Sequence, residues 1–188
     1  RSVADVLAAA RAKPDTLTYA SAGNGTMQHI AAALLESIAK VQLTHVPYKG
    51  TSQVMPDLIA GRVAIMFNSV AAVASLVRSG QLRALAVTTR ERLPAWPQVP
   101  TMIESGLPAF EADAWYAVFG PRGLPAAEVA KAQGELMRVL DLPAVQERYA
   151  TLGLEPLRGG PAELAELVRR DGQKWSEFLR ERGIRAAN

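Results

Sequence analysis

The chain has 188 residues, is 49% hydrophobic and 21% charged, and carries a formal net charge of +3. This is ordinary globular composition, long enough for one sizeable domain or two small ones. It has no cysteine, which excludes disulfides, thiolate metal sites and cysteine nucleophiles. The histidines, His29 and His45, are not spaced as a metal-binding pair on a helix. Basic residues are scattered among acids rather than interleaved with aromatics, which argues against nucleic-acid binding. No stretch approaches the ~20 apolar residues that a bilayer span requires. The chain opens on Arg1-Ser2-Val3, with no apolar run behind a basic start, so no signal peptide is expected within it.

Ser2-Val3-Ala4-Asp5 resembles a capping box and predicts a helix through Leu7 and Ala10 that ends before Pro14. Leu17 to Ala20 reads as a short strand. A loop of small residues follows, and then a helix from Met27 to about Lys40, with Ile30, Leu34, Leu35 and Ile38 at helical spacing. Val41 to Tyr48 reads as a second strand, limited near its end by Pro47. Lys49 to Ser52 is a turn leading into a helix that runs to Ala60, where Pro56 is tolerated only in the first turn. Val63 to Phe67 is a continuous apolar run, as expected of a strand buried on both faces. Ala71 to Arg78 is helical, and Leu82 to Thr88 reads as a fourth strand. The alternation of helix and strand predicts an α/β fold with a mostly parallel sheet.

From Arg90 the pattern changes. Pro94, Pro97, Pro100 and Pro108 mark a loop-rich connection with a short helix at Thr101 to Ser105. Trp115 to Phe119 reads as a strand of large residues, with Trp115 and Tyr116 in packing roles. Helices follow at about Ala126 to Leu140, Pro143 to Leu152 and Ala162 to Arg182, with Trp175 and Phe178 on the buried stripe of the last.

Three loops carry the chemistry. Ser21-Ala22-Gly23-Asn24-Gly25-Thr26 joins a strand to a helix, which leaves backbone N–H groups at the positive end of the helix dipole. Its small side chains would let an anion approach them. The alternative is a tight turn that simply needs glycine. It is not a P-loop, because no Lys-Ser or Lys-Thr follows the second glycine at the required spacing, and it lacks the third glycine and the distal acid of a dinucleotide fingerprint. Tyr48-Lys49-Gly50 lies at the end of the second strand, where Tyr48 offers a hydroxyl and a flat wall and Lys49 a charge. Asn68 and Ser69 follow the third strand, and Asn68 could bind a ligand or cap the next helix. In open α/β sheets, ligands bind beyond the carboxyl ends of the strands, where all three loops fall. Neither histidine has an evident Ser or Asp partner in sequence, and no G-x-S-x-G elbow is present. No catalytic residue, metal ligand or cofactor motif emerges. An α/β enzyme holding a phosphate-containing ligand at the Gly23–Gly25 loop is the competing reading.

Taken in order, Leu17 to Thr26, His45-Val46-Pro47-Tyr48-Lys49-Gly50, Gly61 to Phe67 and Gly80 to Thr88 resemble the Bug (TctC-like) family of tripartite tricarboxylate transporter receptors. Pro97 to Pro108, Ala114-Trp115 and Gly153-Leu154-Glu155-Pro156 continue the resemblance. It implies a type II periplasmic-binding-protein fold of two α/β lobes around a cleft, hinged by crossing strands. It also implies periplasmic capture of a small carboxylate for the membrane subunits of a transporter. A third reading is an interaction module that presents its ligand state to a signalling partner, which sequence does not separate from transport. The ligand carboxylate would sit on Ser21 to Thr26, with Tyr48 to Gly50 beside it. Family members often carry Asp where this chain has Asn68, which weakens the case for an amino-acid ligand.

The family also has an N-terminal segment with a Pro- and Gly-rich carboxylate-binding loop, to which nothing here corresponds. The expected organisation is therefore an α/β ligand-binding lobe at 1–113. A crossover strand and helices of an incomplete first lobe would occupy 114–188, with self-association through exposed apolar helices.

Overall fold

The structure is a computed structural model that describes residues 1–185. The chain divides into two units, one of Arg1–Ala114 with the segment from Leu179 onward, the other of Trp115–Phe178.

The first unit opens with α1 (Val3–Ala12), where Ser2 Oγ accepts the Asp5 N–H at 3.2 Å as the capping pattern requires. Its buried residues Val3, Leu7 and Ala10 share one face. β1 (Thr18–Ser21), α2 (Met27–Ala39), β2 (Thr44–Pro47), α3 (Thr51–Ile59), β3 (Ile65–Met66) and α4 (Val70–Arg78) follow in order. The three strands form a parallel sheet in the order β2-β1-β3, with Ser21 level with Pro47 and Ala20 level with Met66. The ends of all three strands therefore lie along one edge.

α2 buries Ile30, Ala31, Ala32, Ala33, Leu35 and Ala39, a face of mostly small side chains that lets a helix lie close to its neighbours. Ala20 of β1 packs with Val54 of α3 and with Val63, and the half-buried Tyr48, Met55, Leu58 and Met66 close around them. Glu36 on α2 accepts the Leu43 N–H at 2.8 Å and so ties the approach to β2 to that helix.

Several elements differ from the sequence-based expectation. Pro56 lies inside α3 in its second turn, so the Ser52 carbonyl lacks the donor that a helix would bring to it. β3 is two residues long and only half-buried, not buried on both faces, because it is an edge strand of this sheet. Leu82 to Thr88 does not form a strand. Among the described residues its ladder contact is a parallel bridge between Val87 and Thr101, and Val87 is buried with Leu93 and Val99 in a satellite cluster. Thr101 to Ser105 makes a single turn rather than a helix. Thr101 Oγ1 accepts the Glu104 N–H at 3.0 Å, while Glu104 Oε2 accepts the Thr101 N–H at 2.8 Å. This reciprocal cap closes a turn that Gly106 (φ 94°) then ends.

The second unit holds α5 (Ala126–Leu140), α6 (Pro143–Leu152) and most of α7 (Pro161–Arg182). Trp115 Nε1 donates to Asp171 Oδ2 at 2.8 Å. Trp115 to Phe119 is not a strand, because no segment among the described residues pairs with it. Tyr116, expected to pack, is instead 84% exposed, with Val118 and Phe119 also exposed. Trp175 and Phe178 meet edge to face at 6.0 Å, but both are only half-buried.

Candidate functional site

Along the sheet edge where the strands end, the loop Ser21–Thr26 and the turn Tyr48–Gly50 are directly joined. The Tyr48 N–H donates to the Ser21 carbonyl at 3.0 Å. A side chain on Gly23 would place its Cβ 3.5 Å from the Tyr48 carbonyl oxygen. Gly23 adopts φ 135° and Gly25 φ 74°, both in the region that favours glycine.

The polar groups of the loop are used unevenly. Ser21 is fully buried, and its Oγ accepts the Gly23 N–H at 3.1 Å and lies 3.0 Å from the Gly23 carbonyl. The Thr26 hydroxyl also donates to the Gly23 carbonyl, at 2.8 Å. Thr26 is the N-cap of α2, yet its side chain makes no cap hydrogen bond. The N–H groups of Met27, Gln28 and His29 consequently have no acceptor among the described residues. Asn24 is exposed, and Ala22 is partly so. An anion at this helix end would gain ~0.3–1 kcal/mol from the dipole. Each directed hydrogen bond to a charged group would add ~1.5–3 kcal/mol.

Both histidines have partners here, contrary to the expectation from sequence. His45 Nε2 lies 2.6 Å from Ser21 Oγ, and His29 Nδ1 accepts the Gly25 N–H at 3.1 Å. The rings stack on each other with centroids 4.1 Å apart, and His45 stacks on Tyr19 at 4.7 Å. Burial lowers both imidazole pKa values, and the adjacent His29 helps push His45 down to about 4, so both rings are neutral near neutral pH. The Ser21–His45 pair is not a hydrolase triad. No carboxylate hydrogen-bonds to either imidazole among the described residues, and Ser21 is closed to solvent. Strand register was the signal that sequence reading missed. Pairing Tyr19 with His45 brings the His45 ring alongside the loop, and the four-residue step from Gly25 brings His29 back to it.

Tyr48 and Asn68 are already engaged. The Tyr48 hydroxyl donates to Asp57 Oδ2 at 2.6 Å, and Arg62 Nε donates to Asp57 Oδ1 at 2.8 Å. The hydrogen bond to Asp57 raises the phenol pKa and lowers that of Asp57. What Tyr48 has left for a ligand is its wall and a lone pair on the phenol oxygen. Lys49 is exposed and makes no salt bridge among the described residues. Gly50 is the N-cap of α3, with φ 133°. Asn68 Oδ1 accepts the Ser69 N–H at 2.9 Å, and Ser69, not Asn68, is the N-cap of α4. A shallow concavity of about 390 Å³ lies in the second unit, lined mainly by apolar residues such as Leu124 and Val129, and offers no charge to an anion.

The chain is 40% identical over 187 residues to a UPF0065 protein from the tcbD–tcbE intergenic region of Pseudomonas sp. strain P51, covering 99% of this chain and 56% of the relative. Two solved structures are each 32% identical to it. One is a protein of R. palustris with adipate, at a TM-score of 0.86 over 97% of this chain and 61% of that one. The other is MatC from Rhodopseudomonas palustris with bound malate, at a TM-score of 0.80 over 95% of this chain and 62% of that one. The chain thus spans between half and two thirds of the length of these proteins. The profile of the TctC family, tripartite tricarboxylate transporter family receptor, matches residues 1–184. The order of motifs, the parallel sheet and the loops along its edge accord with that match, and the chain belongs to the TctC family of tripartite tricarboxylate transporter receptors.

Proposed function

We propose that this chain provides one side of a binding site for a small carboxylate, held without chemical change. The observation that carries the reading is the free first turn of α2. Thr26 turns its hydroxyl to the Gly23 carbonyl instead of capping the helix, so the N–H groups of Met27, Gln28 and His29 are left for an external acceptor. Lys49 adds a positive charge on the adjoining turn. The similar proteins solved with adipate and malate support a carboxylate rather than a phosphate ester as the occupant.

In this reading Ser21 and Gly23 shape the loop. Ala22, Asn24, Gly25 and Thr26 border the ligand, Tyr48 to Gly50 wall one side, and Asn68 and Ser69 complete the edge. Residues 1–113 act as the ligand-binding lobe, and 114–188 belong with the opposing lobe. The location is the periplasm, as for the solved periplasmic binding protein BugD, 31% identical to this chain. The partners are the membrane subunits of a tripartite transporter, which recognise the liganded form.

A thermal-shift screen of adipate, malate and nucleotides tests the reading. Stabilisation by a carboxylate, lost in the Gly25→Asp variant, is the expected result. Stabilisation by nucleotides alone would replace it with the phosphate-binding alternative.

A further inference from the structure

The loop Ser21–Thr26 is gripped from beneath by two imidazoles that come from different elements. His45 on β2 reaches Ser21 Oγ at 2.6 Å, at the start of the loop. His29 on α2 accepts the Gly25 N–H at 3.1 Å, near its end. The two rings stack at 4.1 Å with 17° between their planes, and Tyr19 lies against His45 with 11° between planes. The pair and Tyr19 thus form a three-ring stack against which the loop is fixed at two points.

The geometry determines where the proton of His29 sits. Nδ1 accepts a hydrogen bond from a backbone N–H, so the proton of the neutral ring is on Nε2. The same bond removes the Gly25 N–H from the groups available to a ligand and fixes the orientation of the Gly25 peptide, which immediately precedes the helix cap at Thr26.

We propose that His29, stacked on His45, is the positioning residue of the carboxylate loop: it holds the Gly25 peptide so that the remaining free amides at the start of α2 keep a fixed arrangement. The proposal rests on the reading of this loop as the carboxylate site, and extends it by assigning a role to a side chain that need not touch the ligand, while the His29 backbone N–H remains among the amides offered to it. Proton uptake at His29 Nδ1 would put a second donor opposite the Gly25 N–H, and a second imidazolium 4.1 Å away would add repulsion. The loop is therefore competent only while the pair is neutral. The titratable groups around the pair are Tyr19 on β1 and, acting on Tyr19, Glu36 on α2, itself influenced by Asp15 and Arg182.

Nitrogen NMR on the whole chain without ligand tests the positioning role independently of what binds. His29 is expected as the Nε2–H tautomer, and the Gly25 amide resonance should move in His29→Ala and return toward the wild-type position in His29→Asn. In that variant Asn Oδ1 takes the place of Nδ1. A protonated Nδ1 in the wild type, or a Gly25 amide indifferent to His29→Ala in a folded protein, would overturn the proposal. Adipate titration at about pH 7 forms the second arm: His29→Ala should weaken binding by about tenfold, and His29→Asn should recover most of it. If the NMR result holds while adipate leaves the wild type unaffected, the positioning role stands and the carboxylate reading of the loop fails.

Discussion

The Tyr48 hydroxyl and the Asp57 carboxylate are 2.6 Å apart, and Arg62 closes on the same carboxylate from the other side. The phenol is thereby locked in orientation at the border of the candidate site. Removing the carboxylate with Asp57→Ala should let the Tyr48 phenol titrate closer to the ordinary tyrosine value, since the bond to Asp57 is the largest cause of its elevation. Ultraviolet titration of the phenol, compared with a Tyr48→Phe control, checks this. An unchanged curve would mean that the Tyr48–Asp57 bond does not form in solution.

The stacked histidines give stability a definite pH dependence. The folded-state pKa of His45 is depressed to about 4, and that of His29 is lowered as well. The unfolded chain therefore binds more protons than the folded one between about pH 6.5 and pH 4. The contribution is complete above about pH 6.5 and is lost as pH falls through that window. Glu36 works in the opposite sense. Burial raises its carboxyl pKa, so its protonation favours the folded state at the acid end and partly masks the histidines there. Urea denaturation across this range should show stability falling with acidification. His45→Gln, which keeps a polar group near the position of Nε2 but does not titrate, should flatten the slope.

The two loop glycines should respond differently to substitution. Gly23, at φ 135°, has no comfortable conformation for a side chain and lies against the Tyr48 carbonyl. Gly23→Ala should cost ~1–3 kcal/mol in chemical denaturation. Gly25 sits at φ 74°, which Asp tolerates better than most residues. Gly25→Asp should keep the fold and reduce carboxylate affinity by well over ~10-fold through charge repulsion, read by calorimetry. Equal affinity in the variant would remove the loop from the site.

Tyr116, Val118 and Phe119 expose large apolar side chains on a segment without regular secondary structure, unpaired among the described residues. Such a segment recruits other chains through its free backbone and its apolar surface. The wild type should therefore self-associate with rising concentration, and Tyr116→Ser combined with Phe119→Ser should reduce this in light scattering. A wild type that stays monomeric at high concentration would contradict the expectation.

Helices were the most legible part of the sequence. Ser2 marked the start of α1, and α5, α6 and α7 fall within a residue of the expected ranges. Although β2 and β3 are shorter than the Val41 to Tyr48 and Val63 to Phe67 spans read as strands, the first three strands were placed at the right points in the chain because turn residues bracket them. Leu82 to Thr88 and Trp115 to Phe119 were not, since a strand depends on a neighbour whose position no local pattern encodes. In the site, the loop's position at the sheet edge was legible from the order of elements. The roles of His29 and His45 were not. They arise from the lateral pairing of β1 with β2 and from one turn of α2, and neither is written in the spacing between residues 29 and 45.

Thr26 leaves α2 without a side-chain cap. A Ser or Thr cap bonded to the first turn is worth ~0.5–2 kcal/mol to a helix, and here that hydroxyl is committed to the Gly23 carbonyl. The first-turn amides of Met27 to His29 are therefore left without an acceptor among the described residues, and under the proposed function a carboxylate would supply one. On that reading, occupancy should register as slowed amide exchange at those residues, measured by hydrogen exchange with and without adipate.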